Sequence, residues 1–262
     1  MNLHLENRVA AVAASSAGLG FGSAMTLAQE GCRIAMCARR PDKLEESAKA
    51  IRDETGADVL PIVVDMSEPS APGNFINQAA EHFGQLDIVV ANAGGPPSGP
   101  FEAMSDEQWE TALQLNTMST ARMFRAALPH VTQSDQGRLI AITSITAKQP
   151  LPNMVLSNSA RAAVHGLVKT LSAELAPKGV TVNNVCPGTI RTDRITELSQ
   201  QAADREGISL EEAFGMFESK VPMGRLGTYM EFGAAVTFLC SKQAGYITGS
   251  SLLVDGGMFL GL

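Results

Sequence analysis

At 262 residues and 45% hydrophobic content the chain is long enough for one large α/β domain with a full core. A net charge of -7 without a basic block argues against a nucleic-acid partner, since nothing would displace counterions from a phosphate backbone. The 4 cysteines (Cys32, Cys37, Cys186, Cys240) lack CxxC spacing, which argues against a metal site or disulfide framework. No apolar run reaches the roughly 18 residues of a membrane span, and the N-terminus lacks a charged segment followed by an apolar one, so a soluble, cytoplasmic protein is expected.

The first apolar run, near 8–14, empties into the loop Ala14-Ser15-Ser16-Ala17-Gly18-Leu19-Gly20 and then into a helical pattern near 19–30. Unpaired N–H groups at such a helix start, with the macrodipole behind them, favour an anion such as a pyrophosphate. Ser15, Ser16, Gly18, Leu19 and Gly20 are therefore candidate cofactor contacts, although many such loops are only turns. The second run, near 32–37, ends in Ala38-Arg39-Arg40. An acid at this strand end would hold an adenosine ribose, whereas arginine suits a 2′-phosphate, so Arg39 and Arg40 favour NADP(H) over NAD(H). Solvated charges before the helix near 41–55 are the plainer explanation of the pair.

After the third run, near 59–64, Asp65-Met66-Ser67 puts a carboxylate where it could hold an adenine amino group or cap the next turn, before a helix near 70–84. The fourth run, near 87–91, leads into Asn92-Ala93-Gly94-Gly95. Asn92 can pin the loop, and Gly94 lets the backbone pass close to a bound ring. Ser105-x-x-Gln108 has capping-box spacing and opens a helix near 105–130. Within it Asn116 lies among Leu113, Leu115 and Met118, so its amide is either a structural bridge or part of a proton path.

Runs near 137–143, 180–186 and 251–254, with helices near 153–177 and 228–240, complete an alternation that predicts a doubly wound, seven-stranded parallel sheet with helices on both faces. Ligand is expected at the carboxyl ends of the strands, where their order reverses. Residues 1–262 form one domain, and 188–227, the least regular segment, is expected as a mobile lid.

Gly18-x-Gly20, Asp65, Asn92-Ala-Gly94, Asn116, Ser144, Pro187-Gly188, Tyr246-Ile-Thr-Gly249 and Asp255-Gly-Gly257 together resemble the short-chain dehydrogenase/reductase family over nearly the whole chain. The resemblance implies a Rossmann-type fold, a nicotinamide cofactor, a small carbonyl or alcohol substrate and commonly a homotetramer. It also implies that the Pro187-Gly188 turn bends beside the nicotinamide and that Ile190 and Thr192 contact its carboxamide. Two departures stand out. Ala13-Ala14 occupy the place of Thr-Gly, and a right-handed backbone is expected at Ala14, because φ > 0 would cost about 1 kcal/mol or more. The family's reaction centre is a serine, thirteen residues on a tyrosine and four further on a lysine. Here Ser144 is followed at those positions by Ser157 and Arg161.

A phenol beside a lysine cation exchanges protons near neutral pH; serine does not, and arginine is no base. Three readings follow. An NADP(H)-dependent oxidoreductase could use Ser144 and Ser157 to orient a carbonyl and Arg161 to hold a ribose hydroxyl, with Lys148 or a water relayed through Asn116 giving the proton. The fold could instead bind dinucleotide as a regulatory or assembly subunit, or serve a non-redox enzyme such as a dehydratase or epimerase. Lys148 also fits a solvated loop lysine, and His165, one turn after Arg161, fits packing or an interface. Apolar side chains along the lid, with Met154 and Leu156 opposite, would suit an apolar substrate. The apolar tail after Asp255 is expected against another subunit of a homotetramer or homodimer, or folded back on its own sheet.

Overall fold

A computed structural model of the protein describes residues 1–261, the side chain of Arg194 aside. The strands are β1 Val9–Val12, β2 Arg33–Ala38, β3 Val59–Val63, β4 Ile88–Ala91, β5 Arg138–Ile142, β6 Thr181–Pro187 and β7 Ser251–Val254. They form a 7-stranded sheet in the order β3-β2-β1-β4-β5-β6-β7, with every neighbouring pair parallel. The strand order reverses between β1 and β4, so the loops leaving these two strands part and open a crevice.

Strand side chains alternate between two cores, as a period of two requires. Val9, Ala11 and Ala13 join Phe75, Met123, Phe124 and Val164 on the face covered by helices α3 (Ala71–Phe83), α5 (Ser119–Val131) and α6 (Val155–Leu175). Ala10 and Val12 join Leu27, Leu44, Phe232 and Val236 under α1 (Gly18–Gln29), α2 (Pro41–Thr55) and α9 (Tyr229–Cys240). The expected doubly wound architecture is thus present.

Two expectations about the elements need correction. The helical pattern near 105–130 is broken into α4 (Asp106–Ala112), a π-helical turn (Leu113–Met118) and α5. The expected capping box does open it: Ser105 accepts from the Gln108 amide while the Gln108 side chain accepts from the Ser105 amide. The segment 188–227 is not irregular throughout, for it carries α7 (Asp193–Glu206) and α8 (Leu210–Glu218). Gly207, at φ +67, ends the first, and a Ser209–Glu212 capping box starts the second. Ala202, Ala203 and Ala213, backed by Ile208, form a small core of their own between the two helices. Among the described residues no helix is long and apolar enough to cross a membrane.

Candidate active site

The loop leaving β1 forms one bank of the crevice. Ala14 has φ +48, so the expected right-handed backbone is not adopted. Its neighbours dictate the turn: the Ala13 N–H donates to Val90 O at 3.0 Å, the Ser15 N–H to Cys37 O at 3.0 Å, and Asn92 Nδ2 to Ala14 O at 3.3 Å. Gly20 is needed below it, since a Cβ there would lie 2.3 Å from Ala14 O. Ser15 is not a cofactor contact through its side chain. Its hydroxyl is fully buried, donating to Val12 O at 2.8 Å and accepting from the Cys37 amide at 3.2 Å. No side chain caps α1, so the first-turn N–H groups of Gly18, Leu19 and Gly20 stay available to an anion. The Leu19 side chain itself packs on the α1–α9 core.

Beside this loop lies a cleft of about 430 Å³, lined by Ser16, Arg39, Arg40, Asp65, Met66 and Gly94 among others. Arg39 is largely exposed and stands 3.9 Å from the Asp65 carboxylate. Asp65 accepts from the Ser67 amide at 2.9 Å and the Ser67 hydroxyl at 2.8 Å, which is the turn-capping role. The Ser67 amide above all, and the Arg39 charge more weakly, hold its carboxyl below the usual carboxylate range.

At the carboxyl end of β5, Ser144 Oγ accepts from the Thr146 amide at 3.1 Å, which leaves its own O–H free to donate. Ser157 does not join it: that residue is buried, with its hydroxyl 3.4 Å from Thr146 Oγ1. Arg161, one turn on along α6, is buried as well. Its Nη1 donates to Ile142 O at 3.1 Å and Thr143 O at 2.9 Å, and its Nη2 to Ala93 O at 3.4 Å. Burial lowers the guanidinium to about 10, so a cation tied to three carbonyls persists at neutral pH where the β4 and β5 loops meet.

Asn116 sits in the π-helical turn, Nδ2 donating to Ala112 O at 3.1 Å. Its Oδ1 is buried with no partner among the described residues and calls for a donor from outside the chain. The turn is docked on α6 by Thr117 Oγ1, which donates to Ala160 O at 2.8 Å, next to Arg161.

The opposite bank follows β6. Gly188 donates to Val254 O at 3.0 Å, and a Cβ there would come 2.7 Å from Asp255 Cα. Pro187 ends the strand, and Ile190 is buried against Gly227, whose missing Cβ would lie 2.5 Å from Ile190 Cδ1. Thr192 closes on the glycine loop, for a Cβ on Gly18 would be 3.3 Å from Thr192 Cγ2. Leu156, expected on the substrate wall, is instead wholly buried, and Met154 pairs with Gly99.

Three features escaped the sequence. One is the π-helical turn. Another is a polar cluster behind Ser144, in which His165 Nε2 lies 3.0 Å from Thr143 Oγ1 and 3.6 Å from Cys186 Sγ, while Nδ1 lies 3.4 Å from Ser251 Oγ. The four-residue spacing of Ser157, Arg161 and His165 was the available signal. The third is the course of the tail, where Lys148 Nζ lies 4.9 Å from the Phe259 ring centre and the Leu260 amide donates to Gln149 Oε1 at 2.9 Å. Phe259 and the Leu260 amide thus meet their own chain, while the Leu260 side chain is 85% exposed; Leu262 lies outside the described residues.

Residues 13–259 match the family described as Enoyl-(Acyl carrier protein) reductase. The chain is 33% identical to the 3-oxoacyl-(acyl-carrier-protein) reductase FabG of Escherichia coli, over 98% of this chain and 100% of that protein. L-sorbose reductase from Gluconobacter frateurii, solved with NADPH and L-sorbose, superposes with a TM-score of 0.96 at 30% identity, covering 100% of both chains. A variant of actinorhodin polyketide ketoreductase, solved with NADPH, gives 0.91 at 29% identity, covering 97% of this chain and 98% of that one.

Proposed function

The chain belongs to the short-chain dehydrogenase/reductase family, and from that premise we propose an NADP(H)-dependent oxidoreductase acting on a carbonyl/alcohol pair with a modified reaction centre. The observation that carries the proposal is the cleft at the β1/β4 switch point, rimmed by Arg39 and Arg40 with Ala38 where an acid would otherwise receive a ribose. The residues fit the dinucleotide. The uncapped start of α1 and the space kept by Gly18 and Gly20 suit a pyrophosphate, Asp65 and Met66 suit the adenine side, and Asn92 and Gly94 suit the far ribose. Pro187, Gly188, Ile190 and Thr192 stand on the nicotinamide side. The NADPH bound in two structural relatives supports the same choice.

Bound NADPH supplies a hydride to the carbonyl carbon. Ser144, its oxygen already receiving the Thr146 amide, donates its proton toward the substrate oxygen and fixes its position. Ser157 and Arg161 stand where the family carries tyrosine and lysine, so no phenol gives the proton. Ser157 braces Thr146 beneath Ser144. Arg161 lends a fixed positive charge to the oxygen and to the cofactor ribose. Asn116 Oδ1, buried and unpartnered, is suited to hold the water through which the proton arrives. The proposed setting is cytoplasmic, as a homodimer or homotetramer.

A dinucleotide-binding protein without turnover is the second reading, favoured by the commitment of both Arg161 Nη atoms to backbone carbonyls. Screening carbonyl compounds with NADPH separates the two. Ser144→Ala is expected to lower turnover by about 100-fold or more while NADPH affinity holds. Turnover indifferent to that change, or none with any carbonyl compound, would favour binding alone.

A further inference from the structure

The C-terminal tail bridges the segments that follow β5 and β6. Asp255 sets its course, its two carboxylate oxygens accepting from the Gly257 amide at 3.0 Å and the Phe259 amide at 2.8 Å. On the β6 side Thr189 Oγ1 donates to Met258 Sδ at 3.4 Å. On the β5 side Gln149 receives the Leu260 amide, and the half-buried Phe259 ring carries the Lys148 ammonium. Lys148 is exposed, one short turn after Ser144, with its ammonium resting against a ring of the tail.

Among the described residues Lys148 makes no ion pair, and the carboxylate nearest in the tail, Asp255, has both oxygens engaged by amides. Among the described side chains on the β5–β6 side the arginines are committed, Arg161 to three carbonyls, Arg191 to Glu218 and the Phe214 ring, Arg225 to Glu231, while Arg39 and Arg40 line the cofactor cleft. Burial, with the Lys148 charge adding to it, pushes His165 below its ordinary value, so that imidazole is neutral at pH 7.

We propose that Lys148 is the recognition cation for a carboxylate on the substrate, held ready by the Phe259 ring, so that the molecule acts on oxo acids and hydroxy acids. A single ammonium in a chain of net charge -7 suits a monoanion better than a phosphate dianion. The inference rests on the oxidoreductase reading above, and it separates charge recognition, given to Lys148, from proton delivery, given to Asn116.

The test is equilibrium titration of the protein, with and without NADPH, using pyruvate, acetoacetate and 4-oxopentanoate, each beside its methyl ester. At least one acid is expected to bind about five- to tenfold more tightly than its ester. Lys148→Gln is expected to bring that ratio to about one and Lys148→Arg to keep it, while Phe259→Leu reduces it. A proton donor or a purely structural lysine would not move the acid-to-ester ratio. Acids binding no better than esters in every pair, or a ratio unchanged in Lys148→Gln, overturns the proposal. Dinucleotide that fails to bind overturns the redox reading instead, and the titration without NADPH still reports on Lys148.

Discussion

Ala14 holds a backbone conformation that favours glycine, at φ +48. A rule about side chains and left-handed turns predicted the opposite, and the rule is sound locally. Hydrogen bonds from β2, β4 and Asn92, all distant in sequence, set the loop's path and offset a strain of about 1 kcal/mol. Ala14→Gly is therefore expected to stabilise the protein by about 1 kcal/mol, raising its melting temperature by roughly 2–4 °C. A thermal scan in which the variant melts at or below the parent would mean that the strain is not there. Residue identity made Ser144, Arg39 and Asn116 legible as candidates, because each is polar at a strand end or within an apolar helix face. It could not reveal that Ser15 and Ser157 turn inward, since that depends on which carbonyl or hydroxyl the fold brings to them.

Helix α6 shows what spacing can and cannot give. Positions 157, 161 and 165 recur at one turn each, so a shared face was readable. What that face meets was not, because Thr143, Cys186 and Ser251 come from β5's end, β6 and β7. His165 lies in this cluster with its pKa below the ordinary 6.5. The groups whose charge acts on that corner are Lys148, Arg161 and Asp255. A histidine whose pKa is depressed on folding contributes stability that is whole above the unfolded value and is lost as pH falls through it, since the unfolded chain then takes up the proton first. Urea midpoints are expected to fall between pH 7.5 and about 5, and His165→Gln to flatten that slope. An unaltered slope in the variant would assign it to other groups. The π-helical turn at Asn116 was hidden for a similar reason: Asn116 takes the Ala112 carbonyl just before it, Ser119 and Thr120 hydroxyls take the Leu115 and Asn116 carbonyls within it, and Thr117 docks it on Ala160, none of which alters the apolar period.

Across the whole molecule, alternation of apolar runs with helical patterns was enough for the sheet and its parallel strands, while the strand order that puts the switch point between β1 and β4 came from the structure. That signal is repeated in every βα unit, and one misread boundary does not disturb it. The lid and tail carry no such redundancy. The helices of the expected lid, α7 and α8, pack on each other through three alanines, and the tail is placed by single contacts to Gln149, Lys148 and Thr189. In the proposed function these segments complete the substrate side, which is why the sequence says less about that side than about the glycine loop and strand ends proposed for the cofactor.

The central claim is that the β1/β4 crevice clasps a nicotinamide dinucleotide and reads its 2′-phosphate through Arg39. Isothermal titration of the purified protein with NADPH and NADH, repeated on Arg39→Ala, tests it most directly. NADPH is expected to bind about tenfold more tightly than NADH, with the variant losing most of that difference and keeping its NADH affinity. Equal affinities in the parent protein, or no heat from either dinucleotide, would contradict it.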